Sequence, residues 1–590
     1  MSTFAGELSA HCFLDLDHVR KMCNCDAIEF FSDQRAVLGS DGKIMCFKEA
    51  GWDVVIMMDG HLYNVPELKE ECERCGHPVQ SDAVEELIYR LYQIHREEFM
   101  GLLNGAFSIV LVDRLCDLAL LIRDPMGLKP LFYHVSQESV VFGSLIRCVL
   151  KHPSVKAQAG ADELMEMMLL GPSRTPGKTY FKGIDEVKPG YFLSLTANGV
   201  QSIPYFFLKD EPWTMNEEMT VQFVHDLVSD AIARQSDESC CGLLSGGLDS
   251  SIVCAKAFEK YENLRTYSVD YVDQSVYFKP NFYQKSRDQD YIELMKERYP
   301  LDSHEIILSH ESLREKLKDA MLARDLPSMA DVDSSLYCFL EKMHEMGESA
   351  ALSGECADEL FGGYPWYTQP HLCTLMHFPW ISSASDRLSY LKEEFRTMDA
   401  DGYIKMKIRN SLSTLSFHKE TGCAERQMKK MMKLNLDWFM QTLTDRADRM
   451  ARTLGMEIRV PFCDVRLVQV LYQIPWSMKY QDGMEKSLLR KAFVSELPDE
   501  IVHRKKSPYP KTHHPEYARR IKEDYVKMIL DENSPIHQIL RKEKLEELIY
   551  SEMSTPWYGQ LMTVPQTMAY FLQINDWLEA YDIEIIHPKG

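Results

Sequence analysis

Residues 243–251 read Leu-Leu-Ser-Gly-Gly-Leu-Asp-Ser-Ser, residue types that suit a loop gripping polyphosphate. The apolar run 240–244 predicts a buried strand, and 250–260 predicts a helix leaving it. The loop between them then sits at a helix N-terminus. There, unpaired N–H groups and the positive end of the helix dipole face an anion, and paired glycines let main chain approach phosphate. The spacing differs from the GxxxxGK[ST] loop, which uses a lysine and serves cleavage between β and γ phosphates. Asp249 stands where a Mg²⁺ ligand would be useful, bridging to the pyrophosphate that leaves when ATP adenylates a carboxylate. Taken alone, the same residues also suit a strand-to-helix turn with no ligand.

A second motif answers the first. Residues 352–364 read Leu-Ser-Gly-Glu-Cys-Ala-Asp-Glu-Leu-Phe-Gly-Gly-Tyr, again an apolar segment opening into small residues and carboxylates. Glu355, Asp358 and Glu359 lie within five residues and would repel one another on a bare surface. A nearby cation or a substrate ammonium explains them better than a solvated acidic turn, although the turn stays open for this motif by itself.

Together the two motifs resemble those of the asparagine synthetases, ATP-dependent amide-forming enzymes with SGGxDS followed by an acidic SGE segment and FGGY. The resemblance continues through residues 324–335, 457–464, 483–491, 504–511 and 557–560, and so spans nearly the whole chain. It implies an α+β N-terminal Ntn-hydrolase-like sandwich over residues 1–208, a glutamine amidotransferase type 2-like domain. An α/β ATP-pyrophosphatase-type domain with a parallel sheet is expected to follow over 209–590. Carried over residue by residue, it implies that Ser245, Gly246, Gly247, Asp249 and Ser250 hold pyrophosphate, with Asp249 and Asp358 on Mg²⁺. Leu243, Val269, Ser353 and Gly354 would line the adenosine pocket. Glu355 resembles the acid needed around β-aspartyl-AMP formation and ammonia attack, Glu359 would meet the α-ammonium of aspartate, and Lys486 is similar to the lysine that neutralises the transferring phosphoryl group.

These roles make chemical sense without the name. Adenylation expels pyrophosphate, so negative charge grows on oxygens that a metal and a lysine stabilise in advance. The acyl adenylate then needs a neutral amine, and a carboxylate such as Glu355 can take the proton that ammonium must lose. Read apart from the family, Lys486 has a plainer reading as a surface helix residue after Glu485.

The N-terminal part departs from the family pattern. Glutamine-using members expose a cysteine behind the initiator Met, whereas this chain reads Met1-Ser2-Thr3-Phe4-Ala5-Gly6. An N-terminal serine is a workable nucleophile elsewhere. Its surroundings have changed as well: the family's asparagine-glycine-glutamate turn appears as Asp59-Gly60-His61, and the RGPD and RRLSIID segments are missing. Asp82 alone resembles the glutamine-ammonium ligand. The expectation is a glutaminase without activity on a scaffold that persists, since residues 123–133 resemble the family's RDRLGIKPLYY segment. A strand at 53–58, a helix at 66–75 and a hairpin of 106–112 with 116–122 are predicted there.

At 590 residues, 45% hydrophobic, the chain can build two substantial cores. No apolar stretch approaches the ~20 residues that cross a bilayer, and residues 1–19 lack the layout of an export signal, so a cytoplasmic enzyme without a membrane partner is expected. A net charge of −23 disfavours nucleic acid. Arg504, Lys505, Lys506 and Lys511 form a local basic cluster suited to nucleotide phosphate or to an acid cluster. The sixteen cysteines are read as reduced thiols. Cys23 with Cys25 and Cys72 with Cys75 offer metal-like pairs of weak spacing, with core or surface thiols as the simpler reading. Cys356 is assigned no catalytic part, and His513 and His514 are read as loop residues.

The domain boundary is placed near 207–213, with an amphipathic helix at 219–236 after it. Alternating segments at 265–270, 290–298 and 304–308 predict a parallel sheet with its ligand at the carboxyl edge. The expected activity is an ATP- and Mg²⁺-dependent carbon–nitrogen ligase passing an acyl adenylate to an amine, aspartate with ammonia being the favoured pair. The alternative enzyme is an amide ligase or cyclase acting on another carboxylate in natural-product or peptide biosynthesis. A non-catalytic regulator would lose Asp249, Asp358 or Lys486 first, and all three are present. Small-molecule substrates are the expected partners, and a homodimer is one assembly open to the chain.

Overall fold

The computed structural model describes residues 3–9, 14–23, 29–278, 287–369, 372–553, 555–559 and 562–588. The chain divides into two compact units, residues 1–158 with 175–207, and residues 159–174 with 208–590. Sequence patterning points to one crossing near 207–213. It gives no sign that 159–174 belongs with the later residues, because what ties that segment there is long-range. Glu166 on helix Ala161–Leu169 pairs with Lys407 at 2.7 Å and accepts from the Tyr403 hydroxyl, and Arg387 donates to the carbonyls of Met168 and Gly171.

Within the described residues, the first unit stacks two six-stranded antiparallel sheets. The alternation of strand Trp52–Leu62 shows how the sequence builds this. Val55 and Met57 enter the core between the sheets with Phe4, Leu38, Val110 and Leu121. Val54, Ile56 and Met58 point the other way, against Leu68, Leu87, Ile88 and Leu91 of the helices Val65–Arg74 and Val84–His95. Burial on both faces explains why the strand reads as continuous apolar sequence.

The second unit holds a five-stranded parallel sheet in the order Asp302–Leu308, Arg265–Tyr271, Cys240–Leu243, Ala350–Leu352, Glu457–Arg459. From its first strand, Cys240–Leu243, the chain builds outward on one side and then returns to build on the other. Such a reversal opens a crevice at the carboxyl ends of the central strands. Both chemical motifs lie there, one after Leu243 and the other after Leu352. No helix among the described residues is long and apolar enough to cross a membrane.

Candidate active site

The first loop is braced by its own serines. The Ser245 N–H donates to Ser250 Oγ at 3.3 Å, the two hydroxyls lie 3.0 Å apart, and the Ser250 hydroxyl donates to the Gly247 carbonyl. Gly247 caps helix Leu248–Lys260. Gly246 has φ +64°, and a Cβ there would strike Tyr291 Cβ at 2.6 Å, so both conformation and space demand glycine. The second motif locks onto this loop through Gly354, whose missing Cβ would stand 2.8 Å from the Ser250 nitrogen.

This interlock brings the charges together. Lys486 Nζ lies 2.6 Å from Asp249 Oδ2 and 2.5 Å from Asp358 Oδ1, and Lys506 Nζ lies 2.6 Å from Asp358 Oδ2. Two carboxylates that touch one ammonium are close enough to share one ion. Burial disfavours charge on Asp358, but Lys486 and Lys506 outweigh it and hold the carboxyl down at about 2. Burial pushes Asp249 up against the pull of Lys486. Asp249 Oδ1 and Asp358 Oδ1 are buried with no aligned hydrogen bond, as are Glu355 Oε2 and Glu359 Oε2. A hard divalent cation takes such oxygens as ligands, so the donor set fits Mg²⁺ at Asp249 and Asp358.

Behind the charges lies a cavity of about 280 Å³. Leu243, Ser245, Gly247, Asp249, Ser250, Val269, Ser353, Gly354, Glu355, Asp358, Glu359 and Lys486 all line it, so nearly every site residue expected from sequence converges on one space. Gly246 does not reach the lining and serves the turn instead. Burial, then the neighbouring Asp358 charge, pushes Glu359 up to about 8, and the Tyr364 hydroxyl donates to its Oε1 at 2.9 Å. Burial likewise raises Glu355, opposed by Arg446, whose Nη2 is 3.5 Å from Glu355 Oε1.

Arg446 is the functional candidate that sequence reading missed. It sits on helix Gln441–Thr453 with its guanidinium over the Tyr509 ring, 5.4 Å from the centroid. The available signal was the run Thr444-Asp445-Arg446-Ala447-Asp448-Arg449, charged at positions where an amphipathic helix would place apolar residues, and buried from end to end. Arg324 pairs with Asp445 at 2.6 Å and Arg449 with Asp325 at 2.7 Å, so residues 324–335 support this helix from behind. In the basic cluster, Arg504 donates to the Ser245 carbonyl and pairs with Asp288, while Lys506 meets Asp358.

The comparisons with known proteins bear on this geometry. Residues 224–579 match the family described as Asparagine synthase, and residues 40–206 match the Glutamine amidotransferase domain. Asparagine synthetase [glutamine-hydrolyzing] 3 of Bacillus subtilis (strain 168) is 39% identical over 543 residues, covering 90% of this chain and 88% of that protein. The chain belongs to the asparagine synthase family. A second Bacillus subtilis protein, asparagine synthetase [glutamine-hydrolyzing] 1, is 26% identical, over 77% of this chain and 75% of that protein. Membership makes the chain a carbon–nitrogen ligase of the asparagine synthase type, with a glutamine amidotransferase domain preceding the synthase domain in sequence.

The amidotransferase half looks different up close. Ser2 and Cys25 lie outside the described residues. Asp59 is fully buried in the strand that also carries Gly60 and His61. Asp82 is fully exposed, with Lys69 Nζ 3.3 Å away. Cys72 is a core thiol, whereas Cys75 lies with Glu71 and His95 in a half-exposed group.

Proposed function

We propose that the second unit activates the side-chain carboxylate of aspartate with ATP and passes the resulting β-aspartyl-AMP to ammonia, yielding asparagine, AMP and pyrophosphate. A carboxylate oxygen attacks the α-phosphorus and pyrophosphate leaves. Nitrogen then attacks the acyl carbon and AMP leaves. The observation that carries the reading is the placing of Lys486 between Asp249 and Asp358 at the mouth of the crevice.

Each residue then has a task. The N–H groups at the start of helix Leu248–Lys260, with Ser245 and Ser250, receive the pyrophosphate. Lys486 and Lys506 take up charge developing on the leaving oxygens. When bound by Asp249 and Asp358, Mg²⁺ supplies further charge stabilisation to the same phosphates. Leu243, Val269, Ser353 and Gly354 hold adenosine. Glu359 receives the α-ammonium of aspartate, and Glu355 accepts the proton lost by the attacking nitrogen.

We propose further that the amidotransferase unit hydrolyses no glutamine and that nitrogen arrives as free ammonia. Asp59-Gly60-His61 in place of the family's turn, and the outward position of Asp82, support this. The test is purified protein with ATP and Mg²⁺, offered aspartate with ammonium or with glutamine, reading AMP, pyrophosphate and asparagine. Asparagine from ammonium alone is expected. AMP formed only with a different carboxylic acid would replace aspartate in the proposal, and glutamate released from glutamine would overturn its second part.

A further inference from the structure

Arg446 is a buried cation whose partners are poorly matched to it. The residue is only 3% exposed, and its guanidinium forms part of the cavity wall. Among the described residues, Nη2 has one long contact, 3.5 Å to Glu355 Oε1, and Nη1 lies 3.9 Å from Asp333 Oδ1. Neither Nε nor Nη1 has a hydrogen-bond partner. Asp333 is already served from elsewhere, by the Met329 N–H at 2.9 Å and by Arg324 at 3.5 Å. Tyr509 offers the guanidinium the face of its ring. A guanidinium stays charged when buried, and donors left unbonded in the interior are costly, so this one is short of an anion.

The other cations lining the cavity, among the described residues, are Lys486, Arg490, Arg504, Lys505 and Lys506. Lys486 and Lys506 hold Asp249 and Asp358. Arg504 donates to the Ser245 carbonyl and pairs with Asp288. Arg490 donates to the carbonyls of Glu485 and Val502 and to the Glu485 carboxylate. Lys505 is exposed. Of this set, Arg446 is the buried cation without a full complement of bonds. It stands beside the acidic segment 353–359, touching Glu355, and Glu359 in the same segment has an oxygen with no hydrogen bond.

Aspartate carries its second carboxylate on the carbon that bears its ammonium, so an acid that receives the ammonium calls for a cation close by. We propose that Arg446 binds the α-carboxylate of the substrate and so selects an α-amino dicarboxylic acid over the amino acid that lacks that group. The inference rests on the aspartate reading above and adds to it the residue that recognises the unreactive end of the substrate. A guanidinium matches a carboxylate through two parallel N–H bonds, a fit that the long contact to Glu355 does not provide. When the substrate carboxylate takes the guanidinium, Glu355 is released to accept the proton of the attacking nitrogen. An analogue without the carboxylate leaves the guanidinium buried and short of its anion, which is the basis of discrimination.

The test compares L-aspartate with β-alanine, which keeps the ammonium and the reacting carboxylate at the same spacing and lacks only the α-carboxylate. Adenylation by the full-length protein is followed as exchange of labelled pyrophosphate into ATP. Ammonium is left out, so that the part of Glu355 in amide formation does not enter. If β-alanine exchanges too slowly, its inhibition constant against aspartate is read instead. The wild-type chain should prefer aspartate by at least about a hundred-fold in kcat/KM. Arg446→Met should lose about that factor with aspartate, mostly in KM, and change less than about threefold with β-alanine. Because removing a buried guanidinium can disturb the fold, Arg446→Lys is the parallel variant; it keeps the charge without the fork and should lose about tenfold with aspartate alone. The KM for ATP should be unchanged in both. Equal losses with the two acids would make Arg446 a support for Glu355 only. That result, no loss with aspartate in either variant, or a wild-type chain that fails to prefer aspartate would each overturn the inference and leave the aspartate reading standing. Exchange with neither acid in the wild-type chain would overturn that reading and the inference with it.

Discussion

Two buried charge sites, one in each unit, are held in opposite ways. In the first, Arg123 donates to the carbonyls of Gly127, Lys129 and Val187 at 2.7–3.0 Å, and Asp124 accepts from the N–H groups of Met126, Leu128 and Lys129. These hydrogen-bond partners are main chain, fixed by the fold, with the Glu186 carboxylate 3.1 Å from Arg123 beside them. In the second, Asp249, Asp358, Lys486 and Lys506 face one another and a cavity, with oxygens left unbonded. Charge held by main chain maintains a shape, whereas charge held by other charges can be shared with a ligand. On the proposal that the first unit hydrolyses no glutamine, the same contrast explains how its sandwich would persist without that chemistry.

The largest expected effect falls on the second unit. Asp249→Asn should lower ATP-dependent pyrophosphate release by at least about 10²–10³-fold. It should leave the unfolding temperature unchanged or higher, because a carboxylate that burial disfavours becomes neutral. A variant that melts early and retains turnover would place Asp249 in the same class as Arg123. Arg123→Met is the converse. It strips cation and donors from buried carbonyls and from Glu186, 3.1 Å away, and should destabilise the first unit by about 3 kcal/mol in denaturant titration. Adenylation chemistry per folded molecule should be unaffected.

Much of the second unit's candidate site is legible because its motifs are local in sequence. The residues from Leu243 to Ser250 and from Ser353 to Glu359 sit at the ends of adjacent parallel strands, so motif and topology point to the same candidate site. Arg446 escaped notice because its partners, Glu355, Asp333 and Tyr509, come from three distant segments. The placing of residues 159–174 was hidden for the same reason, since Glu166 and the carbonyl of Gly171 find their partners more than two hundred residues later. In the first unit the strand Trp52–Leu62 was recognisable from its apolar run, but its length was underestimated. Asp59, Gly60 and His61, read as a turn, still pair in register with Ser108, Phe107 and Ala106.

A smaller effect tests the interlock itself. In Gly354→Ala the new Cβ would press on main-chain atoms of Asp249 and Ser250 at 2.8–3.0 Å, which cannot rotate aside. The loop must shift by a few tenths of an ångström, and since catalysis depends steeply on alignment, kcat should fall about tenfold with little change in stability. Steady-state kinetics of ammonia-dependent synthesis reads this directly. An unchanged kcat would mean that the loop adapts and that the close fit of the two motifs is packing alone.

The smallest effect is the most telling about the first unit. In a working amidotransferase of this pattern, the acid resembled by Asp82 would hold the glutamine ammonium, and its loss would remove glutamine-dependent synthesis. Here Asp82 faces solvent with Lys69 beside it, an arrangement that water and salt largely screen. Asp82→Ala should therefore change neither the ammonia-driven rate nor the glutamine-driven background, and Ser2→Ala should behave the same way. If either variant lost a glutamine-dependent activity that the wild-type chain possesses, the contrast between a unit kept for shape and a unit kept for chemistry would collapse. The arrangement around Asp82 would then have to rebuild itself when glutamine binds.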